Sequence, residues 1–137
     1  MPGKIAIQLV TPNGVVLDKQ VDEVIAPGII GEFGVLIGHT PMLTFIKPGI
    51  FSYLEENTFT KLVVGSGFCE VLKDRVTVLV DEAYPSDEID PTEAAQELAQ
   101  IQQEMGAPDS AADPVKLQAL SNKLQVARSK VALSGGS

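Results

Sequence analysis

From Lys4 to Tyr84 the chain is a succession of short apolar runs separated by turn-forming residues, with no helical spacing between them. That pattern excludes alternating strand–helix folds and leaves a sandwich or a barrel. Ile5, Ile7 and Leu9 alternate with Ala6 and Gln8, the period of a half-buried strand. Thr11-Pro12-Asn13-Gly14 has turn chemistry, since proline presets one backbone angle and Asn-Gly tolerates the left-handed region. Further strands are predicted over 15–17, 21–26, 42–46, 50–54, 59–64, 68–72 and 75–81, with Lys73-Asp74 turning between the last two. Between them lies Gly31 to Gly49, where four glycines and two prolines break an apolar run. It reads as a loop entering a short strand, displaying Glu32 and His39 where the backbone turns. The fold class expected for this part is a β-sandwich.

Near residue 87 the period changes. Asp90-Pro91-Thr92-Glu93 places a capping acid before a proline at the first helical position, with Glu93 set to complete a capping box. Ala94, Leu98, Ile101 and Met105 then form one apolar stripe. Gly106-Ala107-Pro108 stops that helix, and Asp113-Pro114 starts another whose stripe is Leu117, Leu120, Leu124, Ala127 and Val131. The tail from Ser134 reads as frayed. Two helices with matching stripes imply an antiparallel hairpin. The expected division is 1–86 as sandwich and 87–137 as hairpin, with a linker at 106–114.

The net charge of −8 argues against nucleic acid as a partner, because phosphate contacts need clustered Lys and Arg. The charge is uneven: residues 1–90 hold six basic and thirteen acidic side chains, whereas 115–137 hold four basic ones and no acid. An acidic body with a basic tail suits two different partners. The single cysteine, Cys69, excludes an internal disulfide and fits a reducing compartment. No apolar run approaches the roughly 20 residues a membrane helix needs. The amino terminus has neither a signal-peptide core nor transit character, so the expectation is a soluble chain reaching a membrane only through partners.

Chemistry-bearing residues are few. Gly28, Gly31, Gly34 and Gly38 lack the Gly-Lys-Ser/Thr ending of a phosphate-binding loop and read first as a glycine-rich surface loop, with a rigid docking loop as the rarer alternative. His39 is the only histidine, so a His-rich metal site is excluded, and Thr40 and Thr44 make no triad with it. Its expected role is to stabilise a turn or sit at a partner contact. Cys69, between Phe68 and Glu70 in an apolar strand, reads as a buried hydrophobe. Asp81, Glu82, Asp87, Glu88 and Asp90 lack EF-hand spacing and read as a solvated linker. Lys116, Lys123, Arg128 and Lys130 make the second helix basic, either as a solvated face or to reach an acidic protein surface. No catalytic residue, cofactor or metal is expected.

Several ordered motifs resemble one family. Gly31-Glu32-Phe33-Gly34-Val35-Leu36-Ile37-Gly38-His39-Thr40-Pro41 followed by Lys47-Pro48-Gly49 is similar to the signature of epsilon subunits of F-type ATP synthases. Ser66-Gly67-Phe68-Cys69-Glu70-Val71, Val76 to Ala83 and Ile89-Asp90 resemble further motifs of that family. Ile37 replaces its usual proline, and Phe68 stands where a second glycine is usual. The resemblance implies a non-catalytic central-stalk subunit that couples ring rotation to ATP synthesis, driven by protons or sodium. Its implied partners are the gamma subunit, the c-subunit ring and, through the hairpin, the beta and alpha subunits. Its implied place is peripheral, at the cytoplasmic face of the bacterial inner membrane. Partner contacts implied by position are Glu32, Phe33, His39 and Met42 on the sandwich, with Lys123, Arg128 and Lys130 on a hairpin that restrains ATP hydrolysis. Some members bind ATP through Ile/Leu-Asp-x-x-Arg-Ala. Glu82, Asp90 and Arg128 match that site in part, but Glu93 stands in place of the arginine and would repel phosphate. The alternative is a stand-alone sandwich that binds a small ligand at its 28–41 loop and dimerises through the hairpin.

Overall fold

The computed structural model describes residues 3–108 and 113–135. Its strands are β1 (Ile5–Thr11), β2 (Gly14–Val21), β3 (Glu23–Pro27), β4 (Glu32–Val35), β5 (Met42–Ile46), β6 (Gly49–Glu55), β7 (Thr58–Val64), β8 (Gly67–Val71), β9 (Arg75–Val80) and β10 (Ala83–Pro85). A short 3-10 turn over Ser86–Glu88 leads to α1 (Pro91–Met105), and α2 covers Pro114–Gly135. The first sheet has the order β2-β1-β9-β8-β5 and the second β10-β7-β6-β3-β4. All pairs are antiparallel except β1 with β9.

The alternation in the sequence becomes the core. Ile5, Ile7, Leu9, Val76, Val78, Cys69 and Val71 point inward from the first sheet. They meet Val24, Ala26, Phe51, Tyr53, Leu62 and Val64 from the second. Each Val, Leu, Ile or Phe among them contributes about 1.5–3 kcal/mol by leaving water. At Gly67 an added Cβ would run into the carbonyl oxygen of Leu79 on the neighbouring strand, so only glycine lets β8 and β9 approach this closely.

Two features differ from the sequence expectation. The run 21–26 is not one strand: the chain changes sheets at Asp22, β2 pairing with β1 and β3 with β6 and β4. Asp22 holds the corner by polar contacts, accepting from the Glu56 amide at 3.0 Å and pairing with Lys4 at 2.7 Å. No glycine or proline marks the turn, so alternation ran through it. The glycine-rich loop also contains a strand, β4, folded back on β3. The turn between them needs Gly28, where a Cβ would sit 2.8 Å from the Gly31 carbonyl oxygen and 2.9 Å from the Phe33 ring.

Both helices start as expected. Asp90 accepts from the amides of Thr92 and Glu93, and Asp113 from those of Val115 and Lys116. The linker reading at 106–114 falls partly outside the described residues. α2 continues through Gly135, past the expected fraying point at Ser134, and residues 136–137 lie outside the description.

The hairpin is packed on its own sandwich, with α2 touching both α1 and strands β6 and β7. This explains why Leu62, Val63 and Val64 are buried in succession: Leu62 and Val64 face the core, while Val63 is buried outside it. It also explains why Val126 is buried beside Ala127, although Val126 is off the predicted stripe. One side of α2 serves α1 and an adjoining side serves the sheet.

Candidate docking surfaces

The groups that ordinary catalysis would use are scattered. His39 donates from Nδ1 to the Thr40 carbonyl at 2.7 Å, and its amide bonds to the Leu36 carbonyl, which makes it a turn residue. Cys69 is buried in the core, and desolvation, reinforced by the charge of Glu70, pushes its thiol up to about 12. Among the described residues no group of three or more His, Cys, Asp or Glu is placed to hold a metal ion.

What does converge is apolar surface. Strand pairing places Val10 beside Leu79, Leu79 opposite Phe68, and Phe68 opposite Phe45, forming a transverse line on the outer face of the first sheet. Phe45 is 65% exposed, Phe68 43% and Leu79 37%, and Leu43, two residues before Phe45, is 71% exposed. The line continues past the sheet edge, because the Ile29 amide bonds to the Phe45 carbonyl at 3.0 Å. Ile29 and Ile30 form the tip of the β3–β4 turn, with Ile30 97% exposed. Scattered apolar residues are normal on a surface, whereas contiguous exposed apolar patches are characteristic of interaction sites.

The residues singled out from the sequence divide differently. Glu32 is exposed and opens β4 opposite Pro27. Phe33 and Met42 are half-buried and pack against the core. Lys123 and Arg128 are exposed on α2, whereas the Lys130 side chain is only 13% exposed and is engaged within the chain. Sequence reasoning missed Phe45, Phe68, Leu79 and the Ile29–Ile30 tip. Their signal was available: β5 carries apolar residues at Leu43 and Phe45 as well as at the buried Ile46, more than a one-sided strand requires.

A third feature is the cleft where sandwich and hairpin meet. It has a volume of about 180 Å³ and is lined by Tyr84, Glu88, Ile89, Asp90, Glu93, Ala94, Glu97 and Lys130. Asp90 and Glu93, two of the residues compared with the family's ATP site, are therefore brought together there. Arg128 does not line it. The cleft holds four carboxylates against one ammonium, and that ammonium already lies 3.3 Å from Glu97.

A sandwich that presents an aromatic line on one sheet and carries a helical hairpin on the other belongs to the class of proteins that work through surfaces. Residues 4–86 match the family described as ATP synthase, Delta/Epsilon chain, beta-sandwich domain. The chain is 48% identical over 90 residues to ATP synthase epsilon chain 2 of Syntrophotalea carbinolica, covering 66% of this chain and 65% of that relative. The latter share is just under two thirds of the relative's length. It is 38% identical over 128 residues to the ATP synthase epsilon chain of Herpetosiphon aurantiacus, covering 90% and 94% of the two chains. A chain from the cryo-EM structure of Euglena gracilis mitochondrial ATP synthase, OSCP/F1/c-ring, shares the fold. It superposes with a TM-score of 0.79 at 24% identity over 93% of this chain and 79% of its own. The chain belongs to the epsilon-chain family of ATP synthases, whose members are non-catalytic subunits.

Proposed function

We propose that this subunit couples rotation of the c ring to ATP synthesis by docking on the gamma subunit through the outer face of its first sheet. The in-register line Leu79–Phe68–Phe45 carries the reading, since it offers a partner apolar surface that the chain itself leaves exposed. The Ile29–Ile30 tip and Glu32 would meet the c ring, and the complex would place the subunit peripherally at the cytoplasmic membrane face. No helix among the described residues is long and apolar enough to cross a membrane. The division into a docking sandwich at 1–86 and a regulatory hairpin at 87–137 belongs to the same proposal. Lys123 and Arg128, exposed on α2, are the residues offered to acidic segments of the beta or alpha subunits when the hairpin restrains hydrolysis. A nucleotide is not expected in the junction cleft, because Glu88, Asp90, Glu93 and Glu97 surround it with the charge that phosphate carries.

The dimerising-hairpin alternative is disfavoured by packing: Leu120, Val126 and Ala127 are already buried within one chain. The test is a binding titration of the chain onto a compatible catalytic head, containing gamma and depleted of epsilon, with ATP hydrolysis followed alongside. Stoichiometric binding is expected for the native chain and not for Phe68→Asp. Equal binding by both would remove the sheet face from the proposal, and binding by neither would remove the rotor role.

A further inference from the structure

A single side chain ties three segments of this molecule together. The Lys130 ammonium, on α2, lies 3.9 Å from the centroid of the Tyr84 ring on β10 and 3.3 Å from Glu97 Oε2 on α1. The Tyr84 hydroxyl donates to Glu82 Oε1 at 2.6 Å, so the ring is fixed from its other end. Tyr84 is paired with Val63, the residue of β7 that is buried on the hairpin side of the sheet. Lys130 is 13% exposed while its partner Glu97 is 42% exposed, so the cation sits inside the junction and the carboxylate at its rim.

We propose that Lys130 is the latch that holds the hairpin on the sandwich. The apolar seam beneath α2 is thin on the sandwich side, where Val63 and Val126 are the fully covered side chains, whereas Ala94, Ile101, Leu120 and Ala127 give α1 and α2 a core of their own. A seam of small residues is weak, and a desolvated cation over an aromatic face is among the stronger single contacts available to it. Tyr84 and Lys130 belong to different units, so their contact resists separation of hairpin from sandwich. The Glu97 contact joins α1 to α2 and travels with the hairpin when it moves. Release exposes the ammonium, and an acidic surface that captured it would stabilise the released state. That consequence rests on the proposed function, but the latch does not.

The test uses the full chain alone and reads hydrogen exchange of α1 and α2 amides against those of the strands. Lys130→Met and Tyr84→Leu are each expected to speed hairpin exchange about tenfold, leaving strand exchange unchanged. The double variant is expected to match the larger single effect, because both remove one contact. Tyr84→Phe keeps the ring and is expected to stay within about twofold of native. Native protection of the hairpin in Lys130→Met would overturn the latch, as would simple additivity in the double variant. Equal loosening by Tyr84→Phe and Tyr84→Leu would place the effect on the hydroxyl and also overturn it. Gamma takes no part in the measurement, so its failure leaves the docking proposal standing.

Discussion

Phe45 and Phe68 stand directly opposite each other on β5 and β8, and both are exposed on the outer face of the first sheet. Cross-strand aromatic pairs contribute roughly 0.2–1 kcal/mol to a sheet. That is little for two large side chains left in water. Replacing either by Asp is therefore expected to cost the isolated chain less than about 1 kcal/mol in urea melting, yet to weaken binding to gamma by at least about tenfold. Titration of the purified gamma-containing head decides this. A variant that binds normally would show that gamma docks elsewhere.

The hairpin and the sandwich should respond separately to a buried charge. Leu120 is 4% exposed within the helical pair, and Leu120→Asp is expected to destabilise the hairpin by about 3 kcal/mol. Leu124 is only half-buried, so Leu124→Asp should do the same to a smaller degree. Thermal melts followed by strand and helix signals should lose helix early while the β transition is kept. Simultaneous loss of both would mean one cooperative unit.

Cys69 links stability to alkaline pH. Burial disfavours its thiolate and holds the folded pKa near 12, above the ordinary unfolded value of about 8.5. Its contribution is therefore fully present below the unfolded value and is lost as pH rises through that window. Native protein at pH 8 should resist a thiol reagent that modifies the urea-unfolded chain at once. Prompt labelling of folded protein would show that β8 opens readily.

The β6–β7 turn stores strain. Glu56 and Asn57 both adopt positive φ, 49° and 66°, as a two-residue hairpin requires. Asparagine adopts that region at lower cost than glutamate, so Glu56→Asn should raise stability by about 0.5 kcal/mol. The Glu56 amide that bonds Asp22 is retained by the substitution. An unchanged or lower urea midpoint would count against strain at this turn.

Local chemistry wrote much of this protein plainly into its sequence. Alternation in Ile5–Leu9 specified a half-buried strand, Asp90-Pro91 and Asp113-Pro114 specified two helix starts, and one His with one Cys left little for catalysis. The motifs between Gly31 and Gly49 carried the family, because glycine and proline positions record backbone geometry. Other features depended on neighbours distant in the chain. Phe33 and Phe68 look equally available in sequence, yet one packs on the core and the other lies on the open face. Strand pairing alone aligns Val10, Leu79, Phe68 and Phe45, which come from four different runs. Likewise Lys130 reads as one more basic residue until α2 settles on the second sheet and brings it over Tyr84. Period, caps and turn residues along the chain specified most of the strands and both helix starts, but not the corner at Asp22 or the strand β4. Tertiary structure decided which faces are covered and which charges meet, because burial depends on what the rest of the chain places opposite.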